Sequence, residues 1–326
     1  MTGEKGLSHA VNLHPIDISI VIPFYKGEKV LPRLAESLVK SYLASSRALF
    51  VEMIVIVDSV ESDTSQISSG LNEIIGPAEK FSVVVRKNEQ NLGVAQSRMN
   101  GQQLSAGKFI SFIDQDDYTG LSYFSVLEKN LSGNFDFFLV NGYIEFEQQK
   151  IRRPVFYFPV RLSFNKIARV NILITPGLLI FNRSRITCNF RQISAKHPGS
   201  DDWACYLDLL SQPALRYKYI GEKLLHYVVH TQNYHQNKAN FIISQVRTIE
   251  YFHRKYPRNV SVGIKLSSLE FRLKRHLSLL KFSKLTLRDI AGFFSFIFIE
   301  LFIIQNFIWL LWHFRLTLHK NKLSNH

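Results

Sequence analysis

Two aspartates one residue apart, Asp114 and Asp116, stand directly after the apolar run of residues 109–113, with Asp117 adjoining as a reserve carboxylate. Carboxylates at i and i+2 on a tight turn can share a hard divalent cation, and such a cation neutralises the charge that grows on a departing diphosphate. Aspartate is common in turns, so the triplet alone is also the signature of a solvated loop. The apolar strand before it points to a site. A second acidic pair, Asp201 and Asp202, follows Ser200 and opens an apolar helical stripe. A carboxylate placed there can take the proton of an attacking hydroxyl, while capping and dipole effects favour the same residues at any helix start. Arg98 has the planar fork that grips a diphosphate bidentately, and reads equally as a helix-surface charge. His226, His230 and His235 lie in the segment LLHYVVHTQNYH.

These residues need a scaffold, and the pattern around them supplies one. Residues 18–22 (ISIVI), ended by Pro23, 53–57 (MIVIV), 81–85, 108–113 (KFISFI) and 137–140 (FFLV) read as short buried strands. Leu31, Leu34, Ala35, Leu38 and Tyr42 recur at helical spacing, and residues 94–105 read as a second helix. Alternation of this kind predicts an α/β fold with an open, mostly parallel sheet flanked by helices, whose ligands sit beyond the carboxyl ends of the strands. Asp58 and Asp63 follow the second strand and Asp114 and Asp116 the fourth, so the two acidic clusters are expected to share one crevice. From about Asn141 the pattern loosens into aromatic-rich segments, and this half is expected to cover the crevice and shape an acceptor site.

The formal net charge of +14 is concentrated between Arg247 and Arg288, just ahead of the apolar residues 291–314. That order favours a membrane surface over nucleic acid. The apolar stretch is long enough to span a bilayer, but Glu300, Gln305 and Asn306 interrupt it and basic residues flank both ends, so a helix lying in the interface fits as well as a span. A buried helix of the soluble domain is the plainer reading. Cys188 and Cys205 have neither CxxC partners nor a histidine pair at metal-ligand spacing, which indicates neither a zinc site nor a disulfide framework and suits a reducing compartment. The first fifteen residues lack the apolar core of a signal peptide. The first strand runs into PFYKGEK, without a GxGxxG turn, and no GxxxxGK[ST] loop occurs, which disfavours dinucleotide oxidoreductases and P-loop nucleotidases. No zinc-finger, homeodomain or RNP-like motif supports nucleic-acid binding.

Taken in order, SIVIPFYKGEKVL from Ser19, VDSVESD from Val57, NLGVAQSRMNG from Asn91, AGKFISFIDQDD from Ala106 and SDDWACYLDLL from Ser200 resemble the inverting family 2 glycosyltransferases of GT-A fold. The likeness runs from Ser19 to about Asn233. Lys26 stands where an asparagine is usual, and Ser59 and Val60 depart from the common VDDGSTD loop, whose second aspartate often reads the nucleotide base. The resemblance implies a GT-A domain over residues 1–245, with a nucleotide-binding half at about 17–130 and an acceptor half at about 131–245. Residues 246–326 then form a basic and hydrophobic helical region associated with a membrane. It implies donor binding by Pro23, Tyr25, Asp58, Arg98 and Asp114, a Mn2+ or Mg2+ ion on Asp116 with His230, Asp202 as catalytic base, and Asp201 and Trp203 at the acceptor. The expected partners are a nucleoside-diphosphate sugar, with uridine the commonest carrier, and a lipid-linked or growing glycan. The expected place is the cytoplasmic face of the membrane, in capsule, exopolysaccharide or O-antigen assembly. A catalytically silent scaffold of the same fold is the alternative that the changes at Ser59 and Val60 permit.

Overall fold

The computed structural model describes residues 15–169, 171–191, 199–230 and 238–255. The chain divides into two compact units, 1–267 and 268–326, and every described residue belongs to the first. The expected membrane segment at 291–314 lies outside the described residues. Among those residues no helix is long and apolar enough to cross a membrane.

In chain order the elements are β1 (Ile18–Phe24), α1 (Leu31–Leu43), β2 (Val51–Val57), α2 (Thr64–Ile75), β3 (Phe81–Lys87), α3 (Val94–Leu104), β4 (Phe109–Phe112), β5 (Tyr118–Thr119), α4 (Tyr123–Asn130), β6 (Phe137–Phe146), β7 (Ile151–Pro154), α5 (Phe164–Arg169), β8 (Leu179–Asn182), α6 (Asp201–Leu210), β9 (Tyr217–Val229) and α7 (Lys238–Lys255). The expected domain boundary at residue 245 falls inside α7.

One nine-stranded sheet runs β3-β2-β1-β4-β8-β6-β9-β5, with β7 beside β6. The first four strands are all parallel, as the buried apolar runs predict, and every residue of β1 and β2 is buried because the sheet is covered on both faces there. Beyond β4 the sheet is mixed: β8 is antiparallel to both β4 and β6, β9 is parallel to β6, and β5 is antiparallel to β9. The expected α/β sheet flanked by helices is thus present, wholly parallel over β1 to β4 and mixed beyond β4, where β6 and β9 form a further parallel pair. Two antiparallel reversals at β8 leave β6 and β9 running in the direction of β4. The end of β9 thus lies on the same side of the sheet as the acidic turn after β4.

The strand order 3-2-1-4 places a topological switch between β1 and β4, where open α/β sheets bind ligands. Pro23 sits in this central strand, normally a forbidden place for a residue without an N–H. Its position explains the tolerance. Val21 accepts from Ile113 N at 3.0 Å, so Pro23, two residues on, faces the same side just beyond the last residue of β4. The site begins where that ladder stops.

Helix α1 buries Leu31, Leu34, Ala35, Leu38 and Tyr42, the stripe seen in the sequence. Tyr42, Phe81 and Phe124 meet edge to face with ring centroids 5.6 to 6.0 Å apart. Asp63 is not in the crevice: its carboxylate caps α2 by accepting from Ser65 N at 2.8 Å and Gln66 N at 3.3 Å.

Candidate active site

The turn after β4 is held from behind and from both flanks. Asp117 is buried, accepting from Val228 N at 3.0 Å and Thr175 Oγ1 at 3.2 Å. Burial, then the charges of Asp116 and Asp114, push its carboxyl well above the ordinary range, against the pull of those two donors. The reserve-ligand reading of Asp117 is thereby corrected, since its oxygens tie the turn to β9. Asp117→Ala is expected to destabilise the fold by about 1–3 kcal/mol for the unsatisfied groups it leaves behind. Asp117→Asn should restore most of that, because Oδ1 can still accept from Val228 and the Thr175 hydroxyl can turn to accept. Urea unfolding of the two variants measures the difference.

Val228 lies two residues before His230, and the brace brings the two expected metal ligands together. His230 Nε2 is 2.7 Å from Asp116 Oδ2, with the side chains 25% and 22% exposed. Burial and the neighbouring Asp114 raise the Asp116 carboxyl, against the lowering effect of His230. Arg33 adds a clamp, donating from Nη2 to the Asp116 carbonyl at 2.6 Å. Behind the turn, Tyr118 donates to Glu145 at 2.5 Å and stacks on His226, whose Nδ1 is 2.9 Å from the same carboxylate. His226 is thus a structural histidine, and His235 lies outside the described residues.

Gln115, between the two aspartates, was not singled out by sequence reasoning. Its side-chain amide accepts from Tyr25 N at 2.9 Å and donates to Tyr25 O at 3.0 Å, fastening the loop after β1 to the acidic turn. A Cβ on Gly27 would lie 2.3 Å from Gln115 Oε1, so glycine is required there for the amide to reach. The place of Gln115 between the two aspartates is the signal for it in the sequence. The side chain of Tyr25 is exposed, and Pro23 is buried in β1.

Asp58 is buried and its oxygens accept from Asn88 Nδ2 at 2.8 Å, Leu92 N at 2.8 Å and Gly93 N at 2.7 Å. The expected nucleotide contact becomes an anchor for the loop that enters α3, because the carboxylate is engaged by that loop. Arg98, on the first turns of α3, differs likewise from its expected diphosphate grip. It is buried, with Nη2 2.5 Å from Asp114 Oδ1 and Nη1 2.6 Å from Asp201 Oδ2, over the ring of Phe190. Burial opposes its charge, and the two carboxylates outweigh it, so its pKa is raised. Its Nε is buried without a hydrogen-bond partner.

Asp201 therefore holds Arg98, and its expected contact with the acceptor is replaced by this buried ion pair. Trp203 is corrected on the same ground: it is buried, and its Nε1 donates to the Ile167 carbonyl at 2.9 Å, so it packs α6 onto α5. Ser200 stands at the N-cap position of α6 in a left-handed conformation, φ 55°, and makes no side-chain cap bond. Asp202 is half-buried, and one of its carboxylate oxygens accepts from Trp203 N at 2.6 Å. Burial first and Asp201 second, offset in part by Arg98, push it up to about 7. A carboxyl so poised can exchange a proton near neutrality.

Comparison with known proteins follows the same line. The profile of Glycosyl transferase family 2 matches residues 19–185. The chain is 23% identical over 253 residues to an uncharacterized glycosyltransferase of Haemophilus influenzae, covering 74% of this chain and 78% of that one. It is 22% identical over 248 residues to the UDP-Glc:alpha-D-GlcNAc-diphosphoundecaprenol beta-1,3-glucosyltransferase of Escherichia coli, covering 76% of this chain and 87% of that one. Among solved structures, S. aureus TarS 1-349 in complex with UDP-GlcNAc superposes with a TM-score of 0.56 at 17% identity, covering 85% of this chain and 78% of that one. The chain spans 47% of the longer S. aureus TarS chain.

Proposed function

Because the chain belongs to glycosyl transferase family 2, we propose that it moves a sugar from a nucleoside-diphosphate donor, a UDP-sugar, to an acceptor hydroxyl with inversion at the anomeric carbon. The observation that carries this reading is the Arg98 guanidinium, which joins Asp114 of the donor turn to Asp201, the neighbour of Asp202. Asp114 of the donor turn and the residue beside Asp202 then stand one side chain apart. In the displacement, the acceptor oxygen bonds to the anomeric carbon from the face opposite the diphosphate. The bond from that carbon to the diphosphate oxygen breaks, its electron pair leaving with the nucleoside diphosphate. The hydroxyl proton passes to Asp202.

Asp116 and His230 are the residues that would hold a divalent ion. A carboxylate oxygen beside an imidazole nitrogen is a mixed donor set that suits Mn2+ better than Mg2+, which prefers oxygen throughout. No group of three His, Cys, Asp or Glu side chains forms a metal cluster among the described residues. When bound, the ion would neutralise charge on the leaving diphosphate. Asp116→Ala is expected to abolish the manganese-dependent part of donor-induced thermal stabilisation. His230→Ala should weaken Mn2+ binding by at least ~10-fold, the loss typical of removing even an outer-shell partner. A melting curve with UDP and Mn2+ reads the first, and electron paramagnetic resonance of Mn2+ titrated with UDP present reads the second.

For the acceptor, the name of the E. coli relative supports a lipid-linked glycan in surface-polysaccharide assembly, presented at the cytoplasmic face of a membrane. The test is a panel of nucleotide sugars with Mn2+ or Mg2+, scored by thermal stabilisation, since a ligand that binds only the native state raises its stability. Stabilisation by none of them would overturn the reading.

A further inference from the structure

No aspartate or glutamate occurs between Glu147 and Asp201, a stretch that carries ten lysines and arginines. Its first part forms an outer edge of the sheet, because among the described residues β7 pairs only with β6. The loop that leaves β7 is firmly tied at both ends. Asn141 accepts from Phe156 N at 3.0 Å and donates to Phe156 O at 2.9 Å, while Leu162 N donates to Tyr217 Oη at 2.6 Å. Phe156 itself is buried. Between the ties, Tyr157 and Phe158 are each 55% exposed. Their exposure is a product of fixed backbone, not of a loose loop. Lys150 and Arg161 are exposed and make no ion pair among the described residues, and exposed Lys223 lies in register with Asn141.

We propose that this edge is a bilayer-facing surface, on which Tyr157 and Phe158 enter the headgroup boundary of an anionic membrane while the surrounding cations meet lipid phosphates. Adjacent aromatic rings with polar or hydrogen-bonded surroundings favour that boundary, and juxtaposed lysines and arginines add attraction to anionic lipid. A second copy of the chain is the poorer occupant because the face would meet its own positive charge. A glycan platform would gain nothing from cations such as Lys150 and Arg161, which make no ion pair among the described residues. The inference rests on the reading of a membrane-borne acceptor, and donor binding in vesicle-free buffer tests the catalytic reading separately.

The experiment uses the full chain carrying Phe158→Cys, labelled with an environment-sensitive fluorophore. Cys188 and Cys205 are buried, and wild type treated identically gives the background. Phosphatidylglycerol vesicles are expected to produce a blue shift and a several-fold rise in emission, quenched by brominated acyl chains. Phosphatidylcholine vesicles should produce little, added salt should reverse the change through screening, and Lys150→Glu with Arg161→Glu should suppress it. Donor-induced stabilisation should stay at the wild-type value. A label that stays in water while the chain sediments with vesicles would show that another segment makes the contact and overturn the proposal. So would failure to sediment, an equal response to neutral lipid, or a lipid-independent response to glycan or to protein concentration.

Discussion

Replacing Arg98 by methionine is expected to destabilise the fold by about 3–5 kcal/mol, the range for removing one partner of a buried ion pair. At the sensitivity of a domain of this size, that lowers the melting temperature by roughly 6–20 °C. The reason is specific to its position. The guanidinium is the common partner of Asp114 and Asp201, and its removal leaves the carboxylate of Asp201 in the interior without its cation. Methionine fills a similar space, so little of the loss comes from a cavity. Arg98→Lys should recover only part, because a single ammonium cannot reach two carboxylates with the fork's parallel geometry. Calorimetry in low and high salt separates this from a surface pair: buried charges are screened little, so the deficit should persist. A drop of only a degree or two would mean that the arginine carries no structural weight.

The second large effect concerns Asp202. Asp202→Asn is expected to lower kcat by ~10^2–10^4-fold, the usual contribution of a positioned base, with donor-induced stabilisation unchanged. The sign of the pH dependence follows from the carboxyl standing at about 7. The carboxylate must be ionised to take the proton, so kcat/KM of the wild type should climb with pH through that value and level off above it. Below it the rate should fall tenfold per pH unit. Because the charge of Asp201 helps to hold the pKa up, Asp201→Asn should move this limb toward acid. Full activity in Asp202→Asn, or a flat profile between pH 5 and 8, would place the base elsewhere.

The nucleotide-binding half was legible because β1, β2 and β4 are buried along their whole length and read as unbroken apolar runs, while the half-buried edge strand β3 keeps the apolar run FSVVV. Strands β1 to β4 fall where residues 18–22, 53–57, 81–85 and 108–113 put them. Helix α2 was not anticipated. Its buried face consists of Ile67, Leu71 and Ile75, thinly spaced among serines and a glycine. The acceptor half was less legible because pairing there is long-range: β8 reverses the sheet between two strands, and nothing local to its four residues announces that.

Within the site, residue types were easier to read than partners. Asp116 and His230 were expected on one ion and stand 2.7 Å apart. Asp58, Arg98, Asp201 and Trp203 were picked out as site residues, yet their side chains engage other parts of the protein. A sequence shows that an arginine is present and not which of several acidic groups, on the chain or on a ligand, will occupy it. That choice is made by burial, which depends on how α3 and α6 pack.

The amide of Gln115 addresses only the main chain of Tyr25, as a neighbouring strand would. The identity of the side chain at position 25 is consequently left out of the join. Evolution or an engineer can exchange that exposed ring for another group while the acidic turn keeps its shape. A surface that can be rewritten without disturbing its foundations is one route by which closely similar scaffolds come to differ in what they meet.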